Sequence, residues 1–234
     1  RIDANPHQID AVVFALRRIP DGGCILADEV GLGKTIEAGL VMAQLLAEGM
    51  RRILLIVPKS LLGQWQMELR NLFGIEAREG HLNPEAFAGA GVFLVHREFA
   101  GGKGSSLLKE GDPFDLVVID EAHEFFASIY KRFDKDGNYQ ADADEAQIAD
   151  RVRDLLKKAA TPVLLLTATP IQNSLAELWG LVQYVEPTDM LLGKLPTFRE
   201  VFCDDKGKSL VPGQEFELRR RLENVLRRTL RSQA

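Results

Sequence analysis

Two short stretches carry residue types that can act together on a phosphate. The first reads Asp28, Glu29, Val30, Gly31, Leu32, Gly33, Lys34, Thr35. It follows an apolar run, residues 24–27, and opens a helix-compatible segment, residues 36–48. Gly31 and Gly33 permit a tight turn that aims several backbone N–H groups at one point. The N-terminus of the following helix adds partial positive charge there. Lys34 can reach the β- and γ-phosphates of a nucleotide, and the Thr35 hydroxyl can ligate Mg²⁺. The usual pattern has a glycine six residues before the lysine, and here Asp28 stands in that position.

The second stretch is Asp120, Glu121, Ala122, His123, directly after the apolar run 116–119. Delivering two carboxylates to the end of a buried strand is costly unless a cation or a proton compensates. Mg²⁺ is such a cation. Asp120 can hold it through water, and Glu121 can orient and activate an attacking water. Adjacent side chains on an extended strand point to opposite faces, so the two carboxylates have different tasks. His123 can link this site to a neighbouring loop. Two further strand ends carry polar residues. Residues 163–166 run into Thr167, Ala168, Thr169, Pro170, Ile171, Gln172 and Asn173, whose hydroxyls can bridge the acidic pair to the far side of a cleft. Residues 53–57 end at Pro58, Lys59 and Ser60, where Ser60 can cap the next helix.

These residues need a scaffold that gathers strand ends. Five apolar runs, 24–27, 53–57, 92–95, 116–119 and 163–166, show no polar alternation. Continuous apolar runs mark strands covered on both faces. Helix-like segments at 36–48 and 61–73 separate them, which predicts an α/β doubly wound parallel sheet with helices on both faces. In such sheets ligands bind beyond the carboxyl ends of the strands, and each motif above follows a strand. Asn5 and Pro6 predict entry into a first helix with Ile9, Val12, Val13 and Leu16 on its apolar face. From residue type alone, Gln8 reads either as a solvated polar residue or as a partner for an adenine edge. Helices are also expected at 125–133, 145–158 and 175–184, with a polar turn between the first two, and residues 101–106 read as a flexible loop.

The 234 residues, 46% hydrophobic and 27% charged, suffice for one large domain or one plus an appendage. A net charge of −5 gives no global attraction to nucleic acid, so any such contact needs a local patch. Cys24 and Cys203 have no metal or disulfide spacing, which fits a reducing, cytoplasmic compartment. No apolar run reaches the roughly 18 residues of a membrane span, and no signal peptide is visible after Arg1.

Residues 28–40, 120–123 and 166–173 resemble the Swi/Snf family of DNA-dependent ATPases within helicase superfamily two. Thr-Ala-Thr-Pro-Ile-Gln-Asn is the most specific string, and Asp28 is what the family carries at the anomalous position. Val30 and Ile36 to Leu40 are similar to a bacterial branch that includes an RNA-polymerase-associated recycling ATPase. The resemblance covers residues 6–186 and implies a P-loop NTPase of RecA-like fold, the first of two lobes. It implies ATP binding by Gln8 and by Asp28, Glu29, Val30, Gly31, Leu32, Gly33, Lys34 and Thr35. It implies Mg²⁺ at Thr35 and Asp120, catalysis by Lys34 and Glu121, and a DEAH box at Asp120, Glu121, Ala122 and His123. Thr167, Thr169 and Gln172 would couple the nucleotide to motion. Lys59, Ser60, His96 and Arg97 would face duplex DNA.

Family members couple ATP hydrolysis to tracking along duplex DNA, near the nucleoid in bacteria, sometimes remodelling bound protein. A second lobe supplies arginines that stabilise charge on the γ-phosphate. No second set of apolar strands follows Pro187. Residues 187–234 therefore read as a mostly helical extension towards that lobe, ending in a basic helix over 217–231. Two other readings share this first lobe: a strand-separating helicase or motor of a restriction or defence complex, and a nucleotide-gated binding module without turnover. The presence of Glu121 beside Asp120 argues against the last.

Overall fold

The computed structural model describes residues 4–29, 31–80, 84–204 and 206–230. Val30, one of the expected nucleotide contacts, and Arg231 lie outside them. The chain runs α1 (Pro6–Arg18), β1 (Gly23–Leu26), α2 (Lys34–Ala47), β2 (Arg52–Val57), α3 (Leu62–Phe73), β3 (Ala77–Glu79), β4 (Gly91–His96) and the short helices α4 (Arg97–Ala100) and α5 (Ser105–Glu110). It continues through β5 (Leu116–Ile119), α6 (Gln147–Ala159), β6 (Val163–Leu166), α7 (Ala176–Val185), α8 (Leu195–Phe202), α9 (Glu215–Leu222) and β7 (Leu226–Arg227).

The strands form one sheet in the order β3-β4-β2-β5-β6-β1-β7, and every pairing is parallel. Each of the five expected apolar runs is a strand. Their continuous hydrophobicity has a simple cause, since both faces are covered. Ile25, Leu54, Ile56, Val117, Ile119 and Leu165 share a core with α6, α7, α8 and α9. Leu26, Ile53, Leu55, Val118, Leu164 and Leu166 share the opposite core with α1, α2 and α3. Burial of each such side chain contributes about 2 kcal/mol, so a one-residue register slip that exchanged the faces would be heavily penalised. Helix α3 approaches α2 closely at Gly39, where a Cβ would stand 2.2 Å from the Phe73 ring.

Strand β6 lies between β1 and β5. The loop after β1 and the acidic stretch after β5 are therefore two strand spacings apart, about 10 Å. Residues after β6 emerge between them.

Several local expectations differ from the structure. The basic helix over 217–231 is shorter and earlier, Glu215–Leu222, and the chain then becomes β7. Two residues are too few to show a period, and this strand exists through its pairing with β1. Residues 125–133 form a 3₁₀ stretch, Phe126–Arg132, and residues 105–110 of the glycine-rich loop region are helical. Ser60 does not cap α3. It sits in the 3₁₀ turn Lys59–Leu61, which tightens the entry so that Leu61 becomes the residue before the helix.

The C-terminal residues pack onto the sheet. Leu195, Phe198, Phe202, Leu218, Leu222 and Val225 belong to the same core as β5 and β6. The backbone N–H groups of Ile25 and Ala27 donate to Val225 O and Arg227 O, both at 2.8 Å.

Candidate functional site

The phosphate loop begins where β1 ends. Gly31 and Gly33 have φ of 85° and 89°, the left-handed region that glycine occupies without cost. A second constraint acts on Gly33, because a Cβ there would stand 2.3 Å from Gln8 Nε2. Gln8 is buried over the loop. Its Nε2 donates to Leu32 O at 2.9 Å, and its Oε1 accepts from the Asn5 N–H at 2.9 Å. His7 Nε2 lies 3.2 Å from the same Leu32 O. Helix α2 starts at Lys34, whose ammonium turns back to donate to Asp28 O at 2.8 Å, with Glu29 O at 3.5 Å. Thr35 follows in the first turn.

The acidic stretch starts where β5 ends. Asp120 is 8% exposed. Its Oδ2 accepts from the Trp65 indole Nε1–H at 2.8 Å, and its Oδ1 accepts from the Glu121 N–H at 2.9 Å. Glu121 has φ 48°, rare for a residue with a side chain and enriched at functional sites. Burial raises the pKa of Asp120, against the Trp65 hydrogen bond, which lowers it. Burial also raises that of Glu121, opposed by the Lys34 charge. Glu121 Oε2 is buried without a hydrogen bond. His123 Nδ1 approaches it to 3.3 Å but lacks hydrogen-bond geometry to it, being engaged 2.9 Å from Thr167 Oγ1.

Thr167 is fully buried after β6 and also accepts from the Thr169 N–H at 3.2 Å. Gln172 Nε2 donates to Thr169 Oγ1 at 3.3 Å. His123, Thr167, Thr169 and Gln172 thus form one hydrogen-bonded chain from the acidic stretch to an exposed loop. Burial lowers the pKa of His123, which favours its neutral form.

Gly31, Gly33, Lys34, Thr35, Asp120 and Glu121 line one cleft of about 480 Å³, together with Leu61, Gln64, Trp65 and Glu68 of the α3 region. That volume lies within the usual range for small-molecule sites, roughly 300–1,000 Å³. Among the described residues no three His, Cys, Asp or Glu side chains gather as a metal cage. A hydroxyl, one carboxylate and an orphaned carboxylate oxygen suit a hard cation that keeps waters and takes its remaining ligands from phosphate. Mg²⁺ behaves in that way.

Lys59 and Ser60 are exposed at the tip of β2. At the tip of β4, His96 Nδ1 lies 3.0 Å from Glu98 Oε2. The Arg97 guanidinium pairs with Glu124 and lies 4.2 Å from the Phe125 ring centroid, so it is engaged within the protein.

Three features escape the sequence reading. One is the Trp65–Asp120 hydrogen bond. The second is a buried carboxyl pair beneath the loop. Glu37 is fully buried, and burial, reinforced by the Asp28 carboxylate, pushes its pKa up to about 9. Outside their own pair, Glu37 Oε1 and Oε2 and Asp28 Oδ2 have no hydrogen-bond partner, and burial beside the Asp28 carboxyl favours the protonated form of Glu37. The third is the grip of the C-terminal strand on the loop. The Thr229 N–H donates to Asp28 Oδ1 at 2.6 Å, and the Glu29 N–H donates to Thr229 O at 3.2 Å.

Known proteins are similar to this chain in sequence and in fold. A profile of the SNF2-related domain matches residues 7–135 and 138–234. The chain is 36% identical over 202 residues to the uncharacterized ATP-dependent helicase YqhH of Bacillus subtilis, covering 86% of this chain and 32% of that protein. It is 35% identical over 183 residues to the RNA polymerase-associated protein RapA of Histophilus somni, covering 71% and 17%. The chain thus spans a third or less of the curated relatives it matches. Its fold matches the Sulfolobus solfataricus SWI2/SNF2 ATPase core in complex with dsDNA. That match has a TM-score of 0.68 at 22% identity and covers 98% of this chain and 45% of that one. A glycine-pinned loop and an acidic strand tip share one cleft, and the family profile spans nearly all of the chain. On these grounds the chain belongs to the SNF2-related family.

Proposed function

We propose that this chain is the first lobe of a motor that couples ATP hydrolysis to translocation on duplex DNA and the remodelling of protein bound there. The observation that supports this reading most is the convergence of Lys34 and Thr35 with Asp120 and Glu121 on one cleft. Lys34 leaves the Asp28 carbonyl to bind the β- and γ-phosphates. Gln8 holds the adenine edge, and the N–H groups from Gly31 to Thr35 surround the phosphate chain. Thr35 and Asp120 would hold Mg²⁺, whose charge would offset that developing on the transferring phosphoryl group. Glu121, partly buried and with Oε2 free of any hydrogen bond, orients the attacking water and accepts its proton. His123 and Thr167 report the state of that carboxylate to Thr169 and Gln172 on the exposed loop.

The solved neighbour holds double-stranded DNA, and the Histophilus relative is associated with RNA polymerase by name. By extension, Lys59 and Ser60 face duplex DNA here. Residues 187–234 lead towards a second lobe that brings the missing arginines. Arginines of that kind contribute about 10³–10⁵-fold in related phosphoryl transfers. The chain alone is therefore expected to bind nucleotide and to hydrolyse it barely, even with DNA.

A steady-state ATPase assay, with and without duplex DNA, on this chain and on a protein carrying a second lobe tests the reading. DNA-stimulated turnover should need the second lobe and vanish with Lys34→Ala. Vigorous DNA-stimulated turnover by the chain alone would contradict it. On the longer protein, third-strand displacement from a triplex without separation of the duplex supports a translocase. Duplex separation would favour a helicase instead.

A further inference from the structure

Asp120 is useful to a metal only if its carboxylate holds one orientation. It stands at the end of a four-residue strand, followed at once by the left-handed Glu121. Two donors fix it, and they come from different sources. One is the backbone N–H of Glu121. The other is the indole of Trp65, which reaches Asp120 Oδ2 at 2.8 Å from α3, 55 positions away in the sequence. Trp65 is 2% exposed, so this donor is shielded from water. An indole N–H donates and cannot accept, and a buried one needs a partner. The ring is set by the packing of Leu62 and Leu69 on the same face of α3. Each carboxylate oxygen keeps a free lone-pair direction after accepting one hydrogen bond, so the two donors orient the group without blocking it. Trp65 also lines the nucleotide cleft. Helix α3 begins at the exposed turn Lys59–Leu61. The indole therefore joins the acidic strand tip to the helix that starts at that turn.

We propose that Trp65 is a positioning residue for the metal carboxylate: its indole N–H fixes Asp120 in the orientation that receives nucleotide-bound Mg²⁺. The inference rests on the ATP and Mg²⁺ reading above. Loss of a partner that orients a metal ligand typically costs about 10–100-fold in metal affinity.

The test titrates MgCl₂ against binding of a fluorescent ATP analogue to this chain. In wild type, Mg²⁺ raises analogue affinity to a plateau. In Trp65→Phe, which keeps an aromatic ring and loses the donor, the Mg²⁺ concentration at half of that rise should increase about tenfold. Trp179→Phe removes another buried indole donor, one bonded to Gly193 O, and should leave the midpoint where it was. In an Asp120→Ala background Trp65→Phe should add no further shift. An unchanged midpoint in Trp65→Phe, or an equal shift in Trp179→Phe, overturns the proposal. A wild-type chain that binds no analogue at any Mg²⁺ concentration overturns the nucleotide reading instead.

Should Trp65→Phe unfold, the two indole N–H resonances decide by nuclear magnetic resonance. Asp120→Ala should move the Trp65 resonance and leave that of Trp179 in place. Two unmoved resonances would sink the proposal.

Discussion

Two buried polar constellations in this molecule have opposite character. Around Asp150, each carboxylate oxygen is saturated. Arg132 donates to it at 2.8 Å, Tyr139 OH lies 2.7 and 2.6 Å from its two oxygens, and Arg153 donates at 3.3 Å. Arg132 also donates to the carbonyls of Ala141 and Ala143, and so frames the loop before α6. Around the phosphate loop the carboxylates are underfilled. Glu121 Oε2, and outside their own pair Asp28 Oδ2 and both Glu37 oxygens, have no hydrogen-bond partner, and among the described residues the Lys34 ammonium donates to the backbone carbonyls of Asp28 and Glu29. Saturation holds a segment in place. Buried carboxyl groups at Asp28 and Glu121 without a full set of donors, beside an available lysine, are a cost that a bound ion and its phosphates can offset.

The comparison can be broken from either side. Asp150→Ala leaves two buried arginines without their anion and should lower stability by about 3–5 kcal/mol. In a domain of this size that is on the order of 10 °C in Tm, readable by calorimetry. Nucleotide affinity measured below the transition should hardly change. Lys34→Ala should do the reverse. It should lower ATP affinity about a hundredfold, from the loss of charge-assisted hydrogen bonds worth roughly 1.5–3 kcal/mol, while Tm stays within a degree or two.

Glu37 gives a finer test, through pH. Its folded-state pKa of about 9 lies above its ordinary value of 4.5. The fold favours the neutral form, so this stabilisation is complete below about 4.5 and declines as pH rises towards 9. Thermal unfolding in metal-free buffer should show Tm of the wild type falling across that window relative to Glu37→Gln. Parallel pH profiles would mean that Glu37 is not protonated in the fold. The smallest effect belongs to Arg227→Ala, which removes a 3.1 Å pair with the exposed Asp10. Such pairs contribute about 0–1 kcal/mol, so a loss above 2 kcal/mol would show that β7 depends on that side chain.

What the sequence disclosed follows from the same physics. The central strands were legible because a strand covered on both faces must be apolar at every position. The phosphate loop and the Asp120–Glu121 tip were legible because their chemistry demands particular residues at fixed spacing. Strands β3 and β7 were not, since three and two residues carry no periodicity and owe their form to neighbours. The Arg132–Asp150 staple joins residues 18 apart across a polar loop whose composition suggests only a surface insertion. Trp65 left one trace: a tryptophan among the apolar positions of α3 needs an acceptor for its N–H. No local pattern names Asp120 as that acceptor. Glu37 left another, as an acid within an otherwise apolar helical run, although its partner Asp28 is fixed only by the turn between them.

The central claim is that Lys34 and Asp120, from distant parts of the chain, serve one metal-bound triphosphate. The most direct measurement is ATP affinity by titration calorimetry with and without Mg²⁺, for wild type, Lys34→Ala and Asp120→Asn. The account predicts that Lys34→Ala weakens ATP binding in both conditions, whereas Asp120→Asn abolishes the gain from Mg²⁺ and leaves metal-free binding intact or tighter. An Asp120→Asn protein that keeps the full Mg²⁺ gain would contradict it.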